Sequence, residues 1–220
     1  MMKFHFSEQG VKLLSALFIC FFLFAFQRTE ENTFGLKERV LFESGDIIFQ
    51  VSRSSQSKAI QAATGSRYSH VGMIFRKGKE LSVLEAVQPV KIVPLHQWIS
   101  KGVNSHYVVK RLKNADEHLT KKAFSRMDDM IERFLGRDYD PHFEWTDEKM
   151  YCSELVWKLY KGSTGLEIGK LQELQEFNLQ HKDVKRILRQ RYKDSIPLEE
   201  PVISPVAMYN SKLLETIVSK

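Results

Sequence analysis

Cys152 is the residue whose type and position most directly suggest chemistry. It follows a polar segment at 146–149 and begins a predicted helix whose apolar positions are Leu155, Val156 and Leu159. A thiol at a helix N-terminus lies beside unpaired backbone N–H groups and the positive end of the helix dipole, and both favour the nucleophilic thiolate. The alternative is a lone cysteine that serves as a small buried apolar side chain.

A nucleophilic thiol needs a base, and His70 is the best placed of the seven histidines. It directly precedes a predicted strand at 71–75, so its imidazole would lie at a strand entrance. A hydrogen-bonded structural histidine is the alternative interpretation. Three further histidines stay open as bases on sequence alone: His96, His106 and His142.

Glu85 is an acid within a largely apolar, strand-like run at 81–87. Burial of a carboxylate is costly unless the group is partnered or solvated. A hairpin turn at Gly78 would pair this strand with the one that follows His70, and a catalytic base is normally oriented by a third polar group. We therefore predict that Glu85 orients His70, with a solvent-facing glutamate on an edge strand as the alternative.

Strand patterns come first along the chain and helix patterns follow them. The predicted strands lie at 46–51, 71–75, 81–87, 90–93 and 106–112, with a loop and a short helix at 52–65. Apolar spacing predicts helices at 119–134, 153–160, 171–178, 184–191 and from Ser204 onward, the last with Leu213, Leu214 and Ile217 available to bury. This order predicts an α+β fold, a mostly antiparallel sheet flanked by helices.

The N-terminal segment is separate from this fold. Residues 13–26 run for 14 residues without a charge, which is shorter than the about 20 residues of a membrane span, so we predict that 1–26 is a signal peptide or an uncleaved signal anchor. Cys20 belongs to this leader and is not expected to be lipidated. A polar linker is predicted at 27–39 and a catalytic domain at 40–220. The expected location is exported, periplasmic or in the cell envelope.

Composition and charge limit the class of protein. Hydrophobic residues are 43% and charged residues 27%, which excludes a disordered chain and a multi-span membrane protein. With one cysteine outside the leader, a disulfide-stapled scaffold is excluded. The net charge is +6 without a nucleic-acid-binding motif. The basic stretch at 182–191 is interpreted as a solvated helix face or as a patch for peripheral contact with anionic lipid or cell-wall polymer.

Five short segments together resemble a known family. They are GDIIF at 45–49, YSHVGM at 68–73, VLEA at 83–86, GRDYD at 136–140 and YCSELV at 151–156. They resemble the circularly permuted branch of the NlpC/P60 papain-like superfamily, the YiiX/YebB-like group. The resemblance implies a permuted papain-like fold in which histidine, acid and cysteine follow one another along the chain, the reverse of the order in papain.

The resemblance also implies the roles of individual residues. Cys152 would be the nucleophile, His70 the general base and later acid, and Glu85 the group that orients His70. Tyr68 and Tyr151 are weaker candidates for oxyanion or substrate contact. We expect neither a metal nor an organic cofactor, because no cysteine and histidine cluster with zinc spacing occurs in the sequence.

The sequence therefore predicts an exported cysteine hydrolase of the amidase or peptidase type. It would cleave an amide or ester through a thioester on Cys152, in a small peptide-like or acylated substrate derived from cell wall or lipid. Loops at 52–65 and 162–182 are expected to border the cleft. The alternatives are a lipid acyltransferase or lipase of the same fold, and a non-catalytic module that binds an acyl or peptide ligand.

Overall fold

The computed structural model describes residues 41–54, 56–78, 80–193 and 195–220. The predicted leader at 1–26 and linker at 27–39 lie outside these ranges. The described elements belong to one compact unit, Glu43–Lys220. Within the described ranges, no helix combines the length and the apolar character needed to cross a bilayer.

A six-stranded antiparallel sheet forms the centre of the fold. Its strands are β1 (Ile47–Ser52), β2 (His70–Lys77), β3 (Glu80–Glu85), β4 (Lys91–Pro94), β5 (Gly102–Leu112) and β8 (Leu214–Ser219). They are ordered β4-β3-β2-β1-β5-β8, and every neighbouring pair is antiparallel. A second, two-stranded sheet pairs β6 (Gln172–Glu173) with β7 (Pro201–Val202).

Seven α-helices of the described chain flank the sheet. They are α1 (Ser57–Thr64), α2 (Leu95–Lys101), α3 (Ala115–His118), α4 (Lys121–Phe134), α5 (Cys152–Thr164), α6 (Lys182–Tyr192) and α7 (Pro205–Tyr209). Helix α5 packs against β2 on one side and α4 on another, and nine of its residues are buried. A helix buried on most of its faces is a core element, so the first residue of α5 is held firmly against the sheet.

The expected α+β class and its antiparallel sheet are confirmed, but one predicted helix is wrong and another is shorter than expected. Residues 171–178 form β6 and a single 3₁₀ turn, Leu174–Glu176, because the N–H groups of Leu174 and Gln175 bond to the carbonyls of Glu200 and Leu198. The helix that begins after Ser204 ends at Tyr209, and Leu214 lies in β8. Both segments pair with distant parts of the chain, which local spacing does not report.

The GDIIF segment has a structural role at the start of β1. The Asp46 carboxylate is buried and accepts hydrogen bonds from Arg111 Nε at 2.7 Å and Nη2 at 2.9 Å. The preceding Gly45 has φ +93°, a left-handed backbone that favours glycine. The hydroxyl of Tyr160 donates to the carbonyl of Gly45, which ties α5 to this turn.

Candidate active site

His70 and Glu85 form a buried hydrogen-bonded pair. His70 Nε2 lies 2.8 Å from Glu85 Oε2, and the two residues are 8% and 2% exposed. Lys101 Nζ is 3.5 Å from the other carboxylate oxygen. Burial raises the pKa of Glu85, but the hydrogen bonds and positive charges of His70 and Lys101 outweigh it and hold the pKa below its usual value. Glu85 is therefore an ionised carboxylate at neutral pH.

The Cys152 thiol contacts the other side of the same imidazole. Since Nε2 of His70 faces Glu85, Nδ1 is the ring nitrogen left for the hydrogen bond with Cys152. Burial raises the pKa of the thiol, yet the hydrogen bond and charge of His70 and the backbone N–H of Val71 lower it overall. Burial lowers the pKa of His70, but Cys152 and Glu85 raise it to about 9. Both directions favour the ion pair of a thiolate and an imidazolium over the neutral pair.

Three elements bring these side chains together. Cys152 is the first residue of α5, His70 is the first residue of β2, and Glu85 is the last residue of β3. Because β2 and β3 are antiparallel neighbours, the first residue of β2 and the last residue of β3 lie at the same end of the strand pair. The ring of Trp98 stacks on His70 with centroids 5.7 Å apart, which restricts rotation of the imidazole.

Cys152 lies in the wall of a partly open, apolar cavity of about 90 Å³. Helices α1 and α6 and the segments at 174–179 and 202–205 supply most of the wall. The prediction that residues 52–65 and 162–182 border the cleft is confirmed for the parts at 56–64 and 174–179, which line the cavity. Typical apolar wall residues are Ala59, Ile60, Phe177, Leu179, Leu188 and Val202.

The two weaker tyrosine candidates occupy different environments. Tyr151 lines the cavity next to Cys152, and its hydroxyl accepts a hydrogen bond from the backbone N–H of Ile203 at 3.1 Å. Tyr68 does not line the cavity but stacks on Tyr209 with centroids 4.4 Å apart. Burial and a hydrogen bond with Tyr209 raise the pKa of Tyr68 to about 12. The hydroxyl of Tyr68 is thus engaged within an aromatic cluster.

The other open histidines lie in different surroundings from the thiol. His106 stacks on Tyr68 with centroids 6.3 Å apart, and His142 contacts the ring of Tyr192. In the described part of the chain, His70 is the histidine that hydrogen-bonds Cys152. The strand-entrance position identified from sequence is therefore the one that reaches the thiol.

Sequence reasoning did not single out three polar residues of the cavity wall. These are Gln56, Tyr139 and Arg191. Tyr139 falls within the GRDYD segment, which was among the five family-like segments. The sequence does not, however, indicate which side chain of that segment faces the site. Gln56 lies just before α1 and Arg191 near the end of α6, and only the packing of these helices places them beside Tyr139.

A thiol at the start of a buried helix, facing a histidine and a glutamate from neighbouring antiparallel strands, defines a papain-like hydrolase with a permuted chain. The model of the permuted papain-like amidases, the YaeF/YiiX, C92 family, matches residues 42–218. The chain belongs to this family. The match covers almost the whole described unit, so the papain-like hydrolase type of the family applies to this domain.

Two relatives support the same assignment. The uncharacterized protein YiiX of Escherichia coli (strain K12) is 45% identical over 178 residues, which are 81% of this chain and 87% of YiiX. The crystal structure of metalloprotein YiiX from Escherichia coli O157:H7 is similar with a TM-score of 0.76 at 45% identity. That similarity covers 82% of this chain and 98% of the crystallised one.

The metalloprotein description of that relative prompts a test of the residues present here. Within the ranges that the structure describes, no three His, Cys, Asp or Glu side chains are grouped so that they could hold a metal ion. The imidazole beside Cys152 is instead hydrogen-bonded to Glu85. The described residues therefore do not fit a metal ion.

Proposed function

We propose that this protein is a thiol-dependent hydrolase that cleaves an amide or ester through an acyl-enzyme on Cys152. One observation carries the proposal: a buried thiol with a lowered pKa, hydrogen-bonded to the His70–Glu85 pair, opens onto an apolar cavity. An inert buried cysteine would have a raised pKa. The same observation favours an enzyme over a non-catalytic binding module.

In the proposed reaction the Cys152 thiolate adds to the carbonyl carbon, and the carbonyl π electrons move onto oxygen. Backbone N–H groups at the start of α5 stabilise that oxyanion, each worth about 3 kcal/mol. The carbon–nitrogen or carbon–oxygen bond then breaks, and His70 gives its proton to the leaving group. Water, deprotonated by His70, cleaves the thioester and releases the acid while Glu85 stabilises the imidazolium.

The proposed substrate is an acylated compound. The wall of the cavity beside Cys152 is formed mainly by aliphatic and aromatic side chains, which is typical of small-molecule sites. Such a wall stabilises an alkyl chain by removing it from water, at about 0.8 kcal/mol for each CH₂ group. A polar cell-wall peptide would find few hydrogen-bond partners there, because most of the wall is apolar.

The proposed place of action is the cell envelope at an anionic surface. Four exposed cations lie on α6, the same helix that lines the cavity: Lys182, Lys185, Arg186 and Arg189. Positive charge attracts a surface of anionic lipid and would bring the cavity close to acyl chains. The leader-like segment at 1–26 supports export.

The mechanism is tested with 4-nitrophenyl octanoate and octanoyl 4-nitroanilide as probes. We expect Cys152→Ala to abolish turnover of both and to abolish alkylation of the folded domain by iodoacetamide. The chain has two cysteines, so Cys20→Ala is a matched control that should keep turnover. Full activity of Cys152→Ala would contradict the proposed function. A mass increase of one octanoyl group on Cys152 during turnover would support the acyl-enzyme.

A further inference from the structure

Tyr139 belongs to a chain of hydrogen bonds that ends in the cavity. Gln56 Nε2 lies 2.6 Å from the Tyr139 hydroxyl oxygen, and Arg191 Nη2 contacts the amide oxygen of Gln56. All three side chains and Cys152 line the same cavity. The chain therefore connects α6, the residue before α1, and the loop that precedes α5.

The chemistry of these groups fixes the direction of every hydrogen bond. A guanidinium has only donors, so the oxygen of the Gln56 amide must face Arg191. The NH₂ group of Gln56 then faces Tyr139 and donates to the phenol oxygen. The phenol proton is not used in that contact, and no described residue is recorded as its acceptor. It is free to donate to a group in the cavity.

The backbone places Tyr139 alongside the segment that leads into Cys152. Tyr139 and Met150 form a parallel bridge, in which the N–H of Met150 bonds to the carbonyl of Asp138 at 3.0 Å and the N–H of Asp140 to that of Met150 at 3.1 Å. Met150 is two residues before Cys152. Burial and the negative charge of Cys152 raise the pKa of Tyr139, so its hydroxyl stays protonated.

We propose that Gln56 and Arg191 are positioning residues that aim the Tyr139 hydroxyl at the oxyanion formed on Cys152. This inference rests on the proposed function and names a side-chain donor for it. The sulfur–carbon bond forms, the carbonyl electron pair moves to oxygen, and that oxygen accepts a hydrogen bond from Tyr139 without proton transfer. When the leaving group departs, the carbonyl is restored and Tyr139 is unchanged.

The first test is Tyr139→Phe, which removes the donor and keeps the ring. With octanoyl 4-nitroanilide we expect kcat to fall about 100-fold with little change in KM, because the lost contact is made in the transition state. Alkylation of Cys152 by iodoacetamide should keep its rate, since the thiolate is unaffected. Tyr192→Phe is the matched control: its buried hydroxyl has no hydrogen-bond partner among the described residues and should leave kcat unchanged.

Gln56→Glu tests the direction of the phenol proton. A carboxylate of the same shape keeps its contact with Arg191 but can only accept hydrogen bonds. The Tyr139 hydroxyl should therefore donate its hydrogen bond to the new carboxylate and no longer point into the cavity. We expect a loss of kcat close to that of Tyr139→Phe, and no further loss when the two changes are combined. Arg191→Met, which frees the Gln56 amide to rotate, should lower kcat by about 10-fold.

The outcomes separate this inference from the proposed function. If Tyr139→Phe keeps wild-type kcat, Tyr139 is not the donor; if Gln56→Glu or Arg191→Met keeps it, the positioning chain is wrong. A parallel fall in alkylation rate would assign the effect to the thiolate and overturn the inference. If the wild type turns over neither probe, the proposed function fails, and protection of Cys152 by octanal still tests Tyr139. The octanal hemithioacetal should form at least about 10-fold less readily in Tyr139→Phe.

Discussion

At the scale of single residues, the site depends on how two partners share one imidazole. Glu85 faces Nε2 of His70 at 2.8 Å, and Cys152 hydrogen-bonds the ring from the other side. Burial alone would neutralise both the thiol and the imidazole, because it disfavours their charged forms. The pKa values nevertheless shift the other way because of the hydrogen bonds within the triad and then its charges: Glu85 stabilises the imidazolium, which in turn stabilises the thiolate.

This arrangement predicts a bell-shaped dependence of kcat/KM on pH, with values that belong to the coupled pair. Activity should rise as the Cys152 thiolate forms, below the usual thiol pKa, and fall near pH 9 as His70 loses its proton. In Glu85→Gln the negative charge that raises the pKa of His70 is lost while burial still lowers it. The alkaline limb should therefore move to lower pH.

The measurement is kcat/KM for octanoyl 4-nitroanilide across pH, together with the rate of alkylation by iodoacetamide. Glu80→Gln is the matched control, since Glu80 is an exposed acid at the other end of the same strand. It should leave both limbs in place. An alkaline limb that stays near pH 9 in Glu85→Gln would show that Glu85 does not set the protonation of His70.

Sequence was informative at this scale where a residue broke a pattern. Glu85 stands out within an apolar strand and Cys152 at a helix start, and the structure brings both to His70. Tyr139 and Gln56 break no local pattern. Their contact joins residues 83 positions apart and depends on the packing of α1 against α6, which spacing along the chain does not reveal.

At the scale of elements, the site requires β2 and β3 to approach closely. Gly72 allows this: a Cβ at that position would lie 2.5 Å from Val83 Cγ1 and 2.9 Å from the carbonyl oxygen of Leu84. The second clash is with backbone of β3, so a rotamer change cannot relieve it. The glycine of the YSHVGM segment thus allows the strand of His70 to lie close to the strand of Glu85.

Gly72→Ala should lower the free energy of unfolding by about 1–3 kcal/mol, the usual cost of overpacking a tight core. Urea unfolding followed by circular dichroism measures it. Gly162→Ala is the matched control, because its new Cβ would meet the flexible end of Met130, which can move aside. Its stability should be near wild type. Equal stability of the two variants would contradict the role given to Gly72.

Helix α6 provides the second prediction at this scale. If its exposed cations meet an anionic surface, reversing Lys185, Arg186 and Arg189 to Glu should weaken binding to phosphatidylglycerol vesicles by at least about 100-fold, at about 1 kcal/mol for each cation. Vesicle co-sedimentation measures the effect. The same reversal of Lys121, Lys122 and Arg126 on α4 is the matched control and should change binding much less. Equal effects would show that only net charge matters.

Elements with their own hydrophobic period were predictable, and elements that depend on a distant partner were not. Helix α4 shows a regular apolar stripe, and the structure has it at Lys121–Phe134. Strand β8 was expected as helix because Leu213, Leu214 and Ile217 fit helical spacing. Its backbone is instead held by β5, with Leu214 opposite Leu112. A chain terminus gains more hydrogen bonds by pairing with a sheet edge than by forming a short isolated helix.

At the scale of the whole molecule, the two chain ends have different relations to the catalytic unit. The unit begins at Glu43, and the family match begins at residue 42. The C-terminal end is part of the central sheet: β8 covers β5, and Lys220 exchanges two backbone hydrogen bonds with Tyr107 at 2.9 and 3.0 Å. The fold therefore needs the C-terminal strand, whereas the proposed role of residues 1–26 is export.

Two deletions test this asymmetry. A chain without residues 1–39 should unfold at the same urea concentration as the full chain and keep its kcat, but remain in the cytosolic fraction of cells that export the full chain. A chain without residues 213–220 should lose about 3 kcal/mol or more, because several ladder hydrogen bonds at about 1 kcal/mol each disappear and the buried side chain of Leu214 is lost from the core. If the chain without residues 1–39 unfolds at as low a urea concentration as the chain without residues 213–220, the N-terminal segment is part of the fold and not a separate export signal.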